Sequence, residues 1–305
     1  MILGAGYGRR LMPLTRLCPK PLFRVLNRTM LEWWAETLVS AGIRRAVVNV
    51  HHLPQQMLDY LRDLAGSFQD RLEIRPSLEE ELLGTGGGLK KAETLLGRDD
   101  FLLVNADIFT DFELVRLAVK HLANSGRLVT LGLLPGRGQA NVSLDRNGRI
   151  LSFRAPSPVP GETERQTYSG IMALSPAIFE HLGESDLVEA FRRLLEEGRD
   201  ISGWTYDPAI WSDIGSMEDY WHLNRALAAG RTIVHSTAKI EGGLTGWNVV
   251  GAEAVIEKGA ETENCVIWPG ASLARGTMAQ DAVITGAVPA GTRVVGGCFC
   301  VPPQD

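Results

Sequence analysis

Hydrophobic positions along the chain change their spacing several times. Residues 29–41 place Leu31, Trp34, Ala35 and Leu38 at helical intervals, and Trp33 and Trp34 read as helix packing. Arg45–Val50 follows as a continuous apolar run, the pattern of a strand buried on both faces of a parallel sheet. Helical spacing returns over 53–64. A strand at 101–104, a helix at 112–121 and a strand at 128–134 continue the alternation, and residues 1–3 end a first strand that runs into glycine. This alternation predicts an α/β fold with a Rossmann-like, doubly wound mixed sheet.

Beyond Arg149 the rhythm loosens. A proline-rich turn at 156–160 precedes a strand at 168–174 and a helix at 186–197, and Ser216 with Asp219 predicts a capped helix ending near Gly230. From Ile233 short aliphatic pairs recur six residues apart: Val249 and Val255, Val250 and Ile256, then Ile267, Leu273 and Ala279, with a slip between Ile256 and Ile267. Hexads of this kind predict a short C-terminal parallel β-helix of hexapeptide repeats. The expected domains are therefore 1–232 and 233–305.

Composition narrows the partners. Of 305 residues 45% are hydrophobic and 22% charged, and the net charge of -5 gives no general attraction to nucleic acid or anionic membrane. No apolar run approaches the roughly 18 to 20 residues of a membrane span, and the N-terminus lacks signal-peptide features, so a cytoplasmic protein is expected. Cys18, Cys265, Cys298 and Cys300 are expected as free thiols, because Cys298 and Cys300 lack the second ligand pair of a structural zinc site. His51 and His52, between a strand and a helix, read as loop residues.

Against the acidic balance, the first residues hold Gly4, Gly6 and Gly8 with Arg9, Arg10, Arg16 and Lys20, and no acid stands before Glu32. A glycine loop after a strand lets backbone amides approach phosphate oxygens, and the nearby cations supply fixed positive charge. No Gly-Lys-Ser/Thr follows, and Pro13 interrupts any helix that would meet a pyrophosphate, so neither a Walker loop nor a dinucleotide fingerprint is present. Asp107 follows a buried strand, where open α/β sheets bind ligands, and Asp213 lies in Trp211-Ser-Asp-Ile-Gly215.

Leu3-Gly-Ala-Gly-Tyr-Gly-Arg-Arg-Leu-Met-Pro-Leu-Thr15 with Pro19-Lys-Pro21 resembles the signature of the sugar-1-phosphate nucleotidylyltransferases, and Asp107 and the Trp211–Gly215 segment fit the same family. The resemblance implies that Leu3, Gly4, Ala5, Gly6, Gly8 and Arg9 bind the nucleotide. It makes Arg10 and Lys20 catalytic and gives Mg²⁺ as cofactor to Asp107 and Asp213. Glu80-Glu-Leu-Leu-Gly-Thr-Gly-Gly-Gly88 resembles the family's nucleobase loop, which adds Gly84, Thr85 and Gly86 and opens a helix to about Leu96. In layout the chain resembles mannose-1-phosphate guanylyltransferases with a left-handed β-helix.

The implied reaction joins an NTP to a sugar-1-phosphate, leaning to GTP and a manno-sugar. The alternatives are UTP or dTTP with glucose or muramic acid phosphates, or a non-catalytic sensor of NDP-sugars. Sugar contacts are expected from Asn141, Arg154, Tyr168 and Ser169. The family's F-x-E-K-P is replaced by Phe153-Arg-Ala-Pro156, with Arg154 as the substitute cation. The β-helix is expected to mediate homo-oligomers and to do no chemistry, so that a chain cut after Gly230 keeps some activity.

Overall fold

The computed structural model describes residues 1–123, 126–183 and 186–300. Apolar strands assemble one nine-stranded mixed sheet. Ile2–Leu3 runs parallel to both Arg45–Val50 and Phe101–Asn105, and Arg45–Val50 runs parallel to Glu73–Leu78. Glu164–Leu174 is antiparallel to Phe101–Asn105 and to Val129–Leu134, and the Val142–Leu144 and Ile150–Phe153 hairpin extends the far side. Burial follows the expected pattern: in Arg45–Val50 every residue but Arg45 is buried. Leu103, Leu131, Leu133 and Leu174 of the sheet share one core with Leu89, Leu187, Phe191 and Leu194 of the helices.

Helix Leu187–Glu196 buries Leu187, Ala190, Phe191 and Leu194, a single face at helical spacing, and Asp186 caps it by accepting from Val188 N at 3.2 Å. Glu73–Leu78 is a strand outside those read from the sequence, and Pro76 within it would argue against one. Its place at the edge of the sheet removes the objection, because a proline there leaves no interior ladder bond unmade.

His121 is 3% exposed; its Nδ1 lies 2.8 Å from Thr130 Oγ1, which in turn lies 3.2 Å from Ser202 Oγ. Burial holds this imidazole below its ordinary value of 6.5, with Asp100 opposing and Arg127 reinforcing the shift. The unfolded chain therefore takes up the proton first. Its stabilising contribution is complete above about pH 6.5 and is lost as pH falls from there toward the depressed folded value. Denaturant midpoints for wild type and His121→Gln should diverge less at pH 5.5 than at pH 7.5, and an equal gap at both would count against the buried neutral histidine.

Contacts divide the chain into two compact units, Met1–Gly6 with Trp34–Trp211 and Tyr7–Trp33 with Ser212–Asp305. The expected division at 232/233 marks where short strands begin but not where the second unit begins. In that unit Arg24–Val25 and Arg28–Thr29 form a hairpin whose turn residues Leu26 and Asn27 have φ of 49° and 67°, the backbone of a two-residue hairpin turn. Asn27 Nδ2 donates to Val250 O at 2.9 Å, and Leu26 N donates to Asn224 Oδ1 at 3.0 Å. Helix Met217–Ala228 opens with Ser216 accepting from Asp219 N, as expected, and ends at Ala229 with φ 50°. Phe23 meets Tyr220 and Trp268 edge-on at 5.5 and 5.2 Å between centroids. Trp34 is core, whereas Trp33 is only half-buried beneath the Arg28 guanidinium at 4.2 Å.

From Ile233 the chain visits three parallel sheets in turn, of five, four and four strands. Ile267, Leu273 and Ala279 are the inward residues of one such circuit, which explains their sixfold spacing. Stacked partners lie farther apart in sequence: Val249 pairs with Val266, Val266 with Val283, and Val255 with Ser272. The slip is a five-residue step from Thr262 to Ile267. All four cysteines are free. Burial pushes the Cys18 thiol up to about 12, against Arg24, and the Cys265 thiol up to about 11. Among the described residues no helix is long and apolar enough to cross a membrane.

Candidate active site

In the first unit the glycine run leaves the carboxyl end of the Ile2–Leu3 strand. Gly4 N donates to Asn49 Oδ1 at 2.7 Å, Asn49 Nδ2 donates to Glu79 Oε1 at 2.7 Å, and Leu83 N donates to Glu79 Oε2 at 3.1 Å. Asn49 and Glu79 are 3% and 2% exposed. They tie the start of the glycine run to the residue before the Gly84–Lys91 helix, so the two segments expected at a nucleotide are fastened to each other. A Cβ on Gly88 would stand 2.5 Å from Glu79 Oε1, which makes glycine a requirement of that packing.

Sequence reasoning missed Asn49 and Glu79. The Gly4 amide, expected at the nucleotide, is thereby committed to Asn49. Ala5 is buried and Gly6 exposed. The Thr85 hydroxyl is also engaged, donating to Asp186 Oδ1 at 2.7 Å and accepting from Leu187 N at 3.0 Å, so it fixes the capped end of another helix. Gly84 is exposed and Gly86 buried.

A cavity of about 200 Å³ gathers five of the expected residues, Leu3, Thr85, Asn141, Arg154 and Tyr168. Hydrogen bonds make Asn141, Arg154 and Tyr168, the three expected at a sugar, contiguous. Tyr168 N donates to Asn141 Oδ1 at 3.0 Å, and Arg154 N donates to Asn141 O at 2.7 Å with Arg154 held at φ 53°. Asp107 follows the Phe101–Asn105 strand, and burial, with the Asp107 charge second, pushes the Tyr168 phenol up. Ser169 departs from expectation: it is fully buried, its Oγ accepts from Ile171 N at 3.3 Å, and its carbonyl accepts from Trp211 Nε1 at 2.9 Å. Its side chain faces the interior of the sheet rather than a ligand surface.

The second unit holds the cations. Gly8 has φ 61°, and a Cβ there would lie 2.8 Å from Thr15 Cγ2, so only glycine suits the turn into Arg9–Leu11. Thr15 Oγ1 and Leu11 N both donate to Gly8 O. Arg10 carries its guanidinium past Gly215, with Nη1 3.0 Å from where a Cβ would stand. Lys20 Nζ lies 3.9 Å from Asp213 Oδ1, with side chains 12% and 40% exposed. The Trp211–Gly215 segment thus meets the N-terminal cations despite its distance in sequence. Arg9 is exposed beside the Tyr7 ring. Among the described residues no three His, Cys, Asp or Glu side chains gather into a metal cage.

The family model described as nucleotidyl transferase matches residues 1–230. A UTP–glucose-1-phosphate uridylyltransferase of Synechocystis sp. is 26% identical, over 94% of this chain and 87% of its own. The probable mannose-1-phosphate guanylyltransferase 3 of Oryza sativa subsp. japonica is 28% identical, over 93% and 78%. Among solved structures, the UDP-glucose pyrophosphorylase from Acinetobacter baumanii has a TM-score of 0.62 at 16% identity, covering 76% of this chain and 94% of that one, a likeness of fold.

Proposed function

The chain belongs to the nucleotidyl transferase family, and from that premise we propose that it transfers a nucleotidyl group from an NTP to a sugar-1-phosphate. An oxygen of the sugar phosphate attacks the α-phosphorus, the bond to the bridging oxygen breaks, and pyrophosphate leaves with that electron pair. One observation carries the reading: Arg10, Lys20 and Asp213 converge in one compact unit. Transfer between phosphates demands mainly fixed charge and positioning, which a guanidinium and a half-shielded ammonium supply.

GTP with mannose-1-phosphate is the first pair to test, supported by the guanylyltransferase likeness. UTP with glucose-1-phosphate is the second, supported by the Synechocystis relative. Mg²⁺ is the proposed cofactor, with Asp107 and Asp213 as oxygen ligands. Mg²⁺ prefers hard oxygen ligands and takes several of them from substrate phosphates. Bound there, it would neutralise charge on the phosphate oxygens.

The C-terminal stack is read as a short hexapeptide-repeat β-helix that serves self-association. Met278 and Val295, 50% and 58% exposed on outward positions of the third sheet, support that role. The decisive assay is pyrophosphate release across the common NTPs and a panel of sugar-1-phosphates; no release from any pair would reject the activity. Within it, Arg10→Ala should lower kcat by about a hundredfold, as expected for losing one fixed electrostatic contact. A change in KM alone would reduce Arg10 to a binding residue.

A further inference from the structure

Glycine-rich segments have little side chain with which to hold themselves in place, so a rigid nucleotide site must fix them from beneath. Here the glycine run after Ile2–Leu3 and the start of the Gly84–Lys91 helix rest on the same two side chains. Asn49 holds Gly4 and Glu79 holds Leu83, each just ahead of an exposed glycine, Gly6 or Gly84. A Cβ on Gly6 would meet nothing within 4 Å, so the backbone there is open to a ligand.

The sheet fixes the two side chains in turn. Asn49 lies in Arg45–Val50 opposite Ser77 of the neighbouring strand, and Glu79 follows directly from that strand. Glu79 N donates to Val50 O at 2.8 Å, and its carbonyl lies 3.0 Å from His51 Nδ1. The helix closes over the pair, since a Cβ on Gly88 would also stand 3.0 Å from Asn49 Nδ2. The three bonds run in one sense: Gly4 N–H to Asn49 Oδ1, Asn49 Nδ2 to Glu79 Oε1, and Leu83 N–H to Glu79 Oε2. Donor meets acceptor at each only while one residue is an amide and the other a carboxylate.

We propose that Asn49 and Glu79 are positioning residues for the NTP half of the site, a brace that holds the glycine run and the opening of the Gly84–Lys91 helix at one separation. The assignment rests on the transfer reading above. At 3% and 2% exposed, the two side chains act through the backbone of Gly4 and Leu83. A reacting group displaced by about 1 Å can lose about a hundredfold in rate, so slack in the brace is felt at the NTP. Asn141 and Arg154, expected at the sugar, are held by backbone bonds to Gln166 and to each other, outside the brace.

The test inverts the brace. In Asn49→Asp two carboxylates face each other, and in Glu79→Gln an amide nitrogen meets either the Asn49 amide or Leu83 N–H. Together the changes restore all three bonds. The new amide at 79 donates to the new carboxylate at 49, whose other oxygen still takes Gly4 N–H, and the amide's own oxygen takes Leu83 N–H. Each single variant should raise KM for the NTP about tenfold or more, with KM for the sugar-1-phosphate unchanged. The double variant should return to within about threefold of wild type. Calorimetric titration of the same NTP should give the same order of affinities without turnover.

Single variants that melt earlier but keep the wild-type KM for the NTP would make the pair merely structural and overturn the assignment, as would a double variant no better than the singles. Where a single variant fails to fold, wild type carries the test. Adding the NTP should slow hydrogen exchange at the Gly4 and Leu83 amides together, and protection of one alone or of neither would overturn the brace. A protein that binds NTP with this pattern but releases no pyrophosphate would reject the transfer reading and uphold the pair. Pyrophosphate release indifferent to both single changes would reject the pair alone.

Discussion

A chain ended after Gly230 should release no measurable pyrophosphate. The sequence suggests the opposite, since the residues beyond that point carry none of the charged side chains assigned to the reaction. The packing around Phe23 argues against that expectation. Fully buried, Phe23 packs between Tyr220 and Trp268, three residues after Lys20. Truncation removes Trp268 and with it the donor to the Tyr220 hydroxyl, and it removes the carbonyls of Val250 and Asn264 that accept from Asn27 and Trp221.

Losing a large aromatic from a packed site typically costs about 3 to 5 kcal/mol, and here the hydrogen bonds go with it. The segment left without support is the one carrying Arg10 and Lys20. Trp268→Ala offers a finer version, expected to lower the melting temperature and kcat together while the stack persists. Wild-type kcat in the truncated protein would show that the N-terminal loop needs nothing beyond Gly230.

On the proposed metal-assisted reading, Asp107→Ala and Asp213→Ala should each lower kcat by roughly a thousandfold, since an acid that would hold a charge-neutralising cation at the phosphates is worth several kcal/mol of the barrier. The two losses should differ in one respect. Asp213 also neighbours Lys20 Nζ at 3.9 Å, so its removal leaves a largely shielded ammonium without that carboxylate. Asp213→Asn should therefore restore little, because the amide brings no charge. Circular dichroism would confirm that both variants fold. Full activity in Asp107→Ala would refute its part in the reaction.

How much of this could be read from the sequence depended on whether a feature leaves a periodic or local trace. The strands at Arg45–Val50 and Phe101–Asn105 did, through continuous apolar runs. The helix cap Ser216 did, through a polar residue set before an amphipathic segment with Asp219 three positions on. Asn49 and Glu79 left none: a buried polar pair thirty residues apart looks like two surface residues until the sheet brings them together.

Thr85 and Ser169 hold contacts that were hidden for a related reason. A hydroxyl beside a glycine reads as ligand-facing, yet Thr85 is taken up by Asp186 and Ser169 lies inside the sheet. The union of Tyr7–Trp33 with the C-terminal segment was equally hidden, because it depends on Phe23, Tyr220 and Trp268 meeting from three distant stretches.

Pro76, in the Glu73–Leu78 edge strand, governs how the protein behaves when concentrated. The outer border of a sheet offers unpaired amides and carbonyls to any other extended chain, a route to aggregation. Along this border Pro76 offers no amide, and just before it Glu73 and Arg75, on either side of Ile74, form an ion pair. A strand from another molecule would have to displace that pair and forgo one bond in mid-ladder. Pro76→Val would restore the amide and extend the apolar run, giving a protein that folds as before but precipitates at concentrations the native chain tolerates.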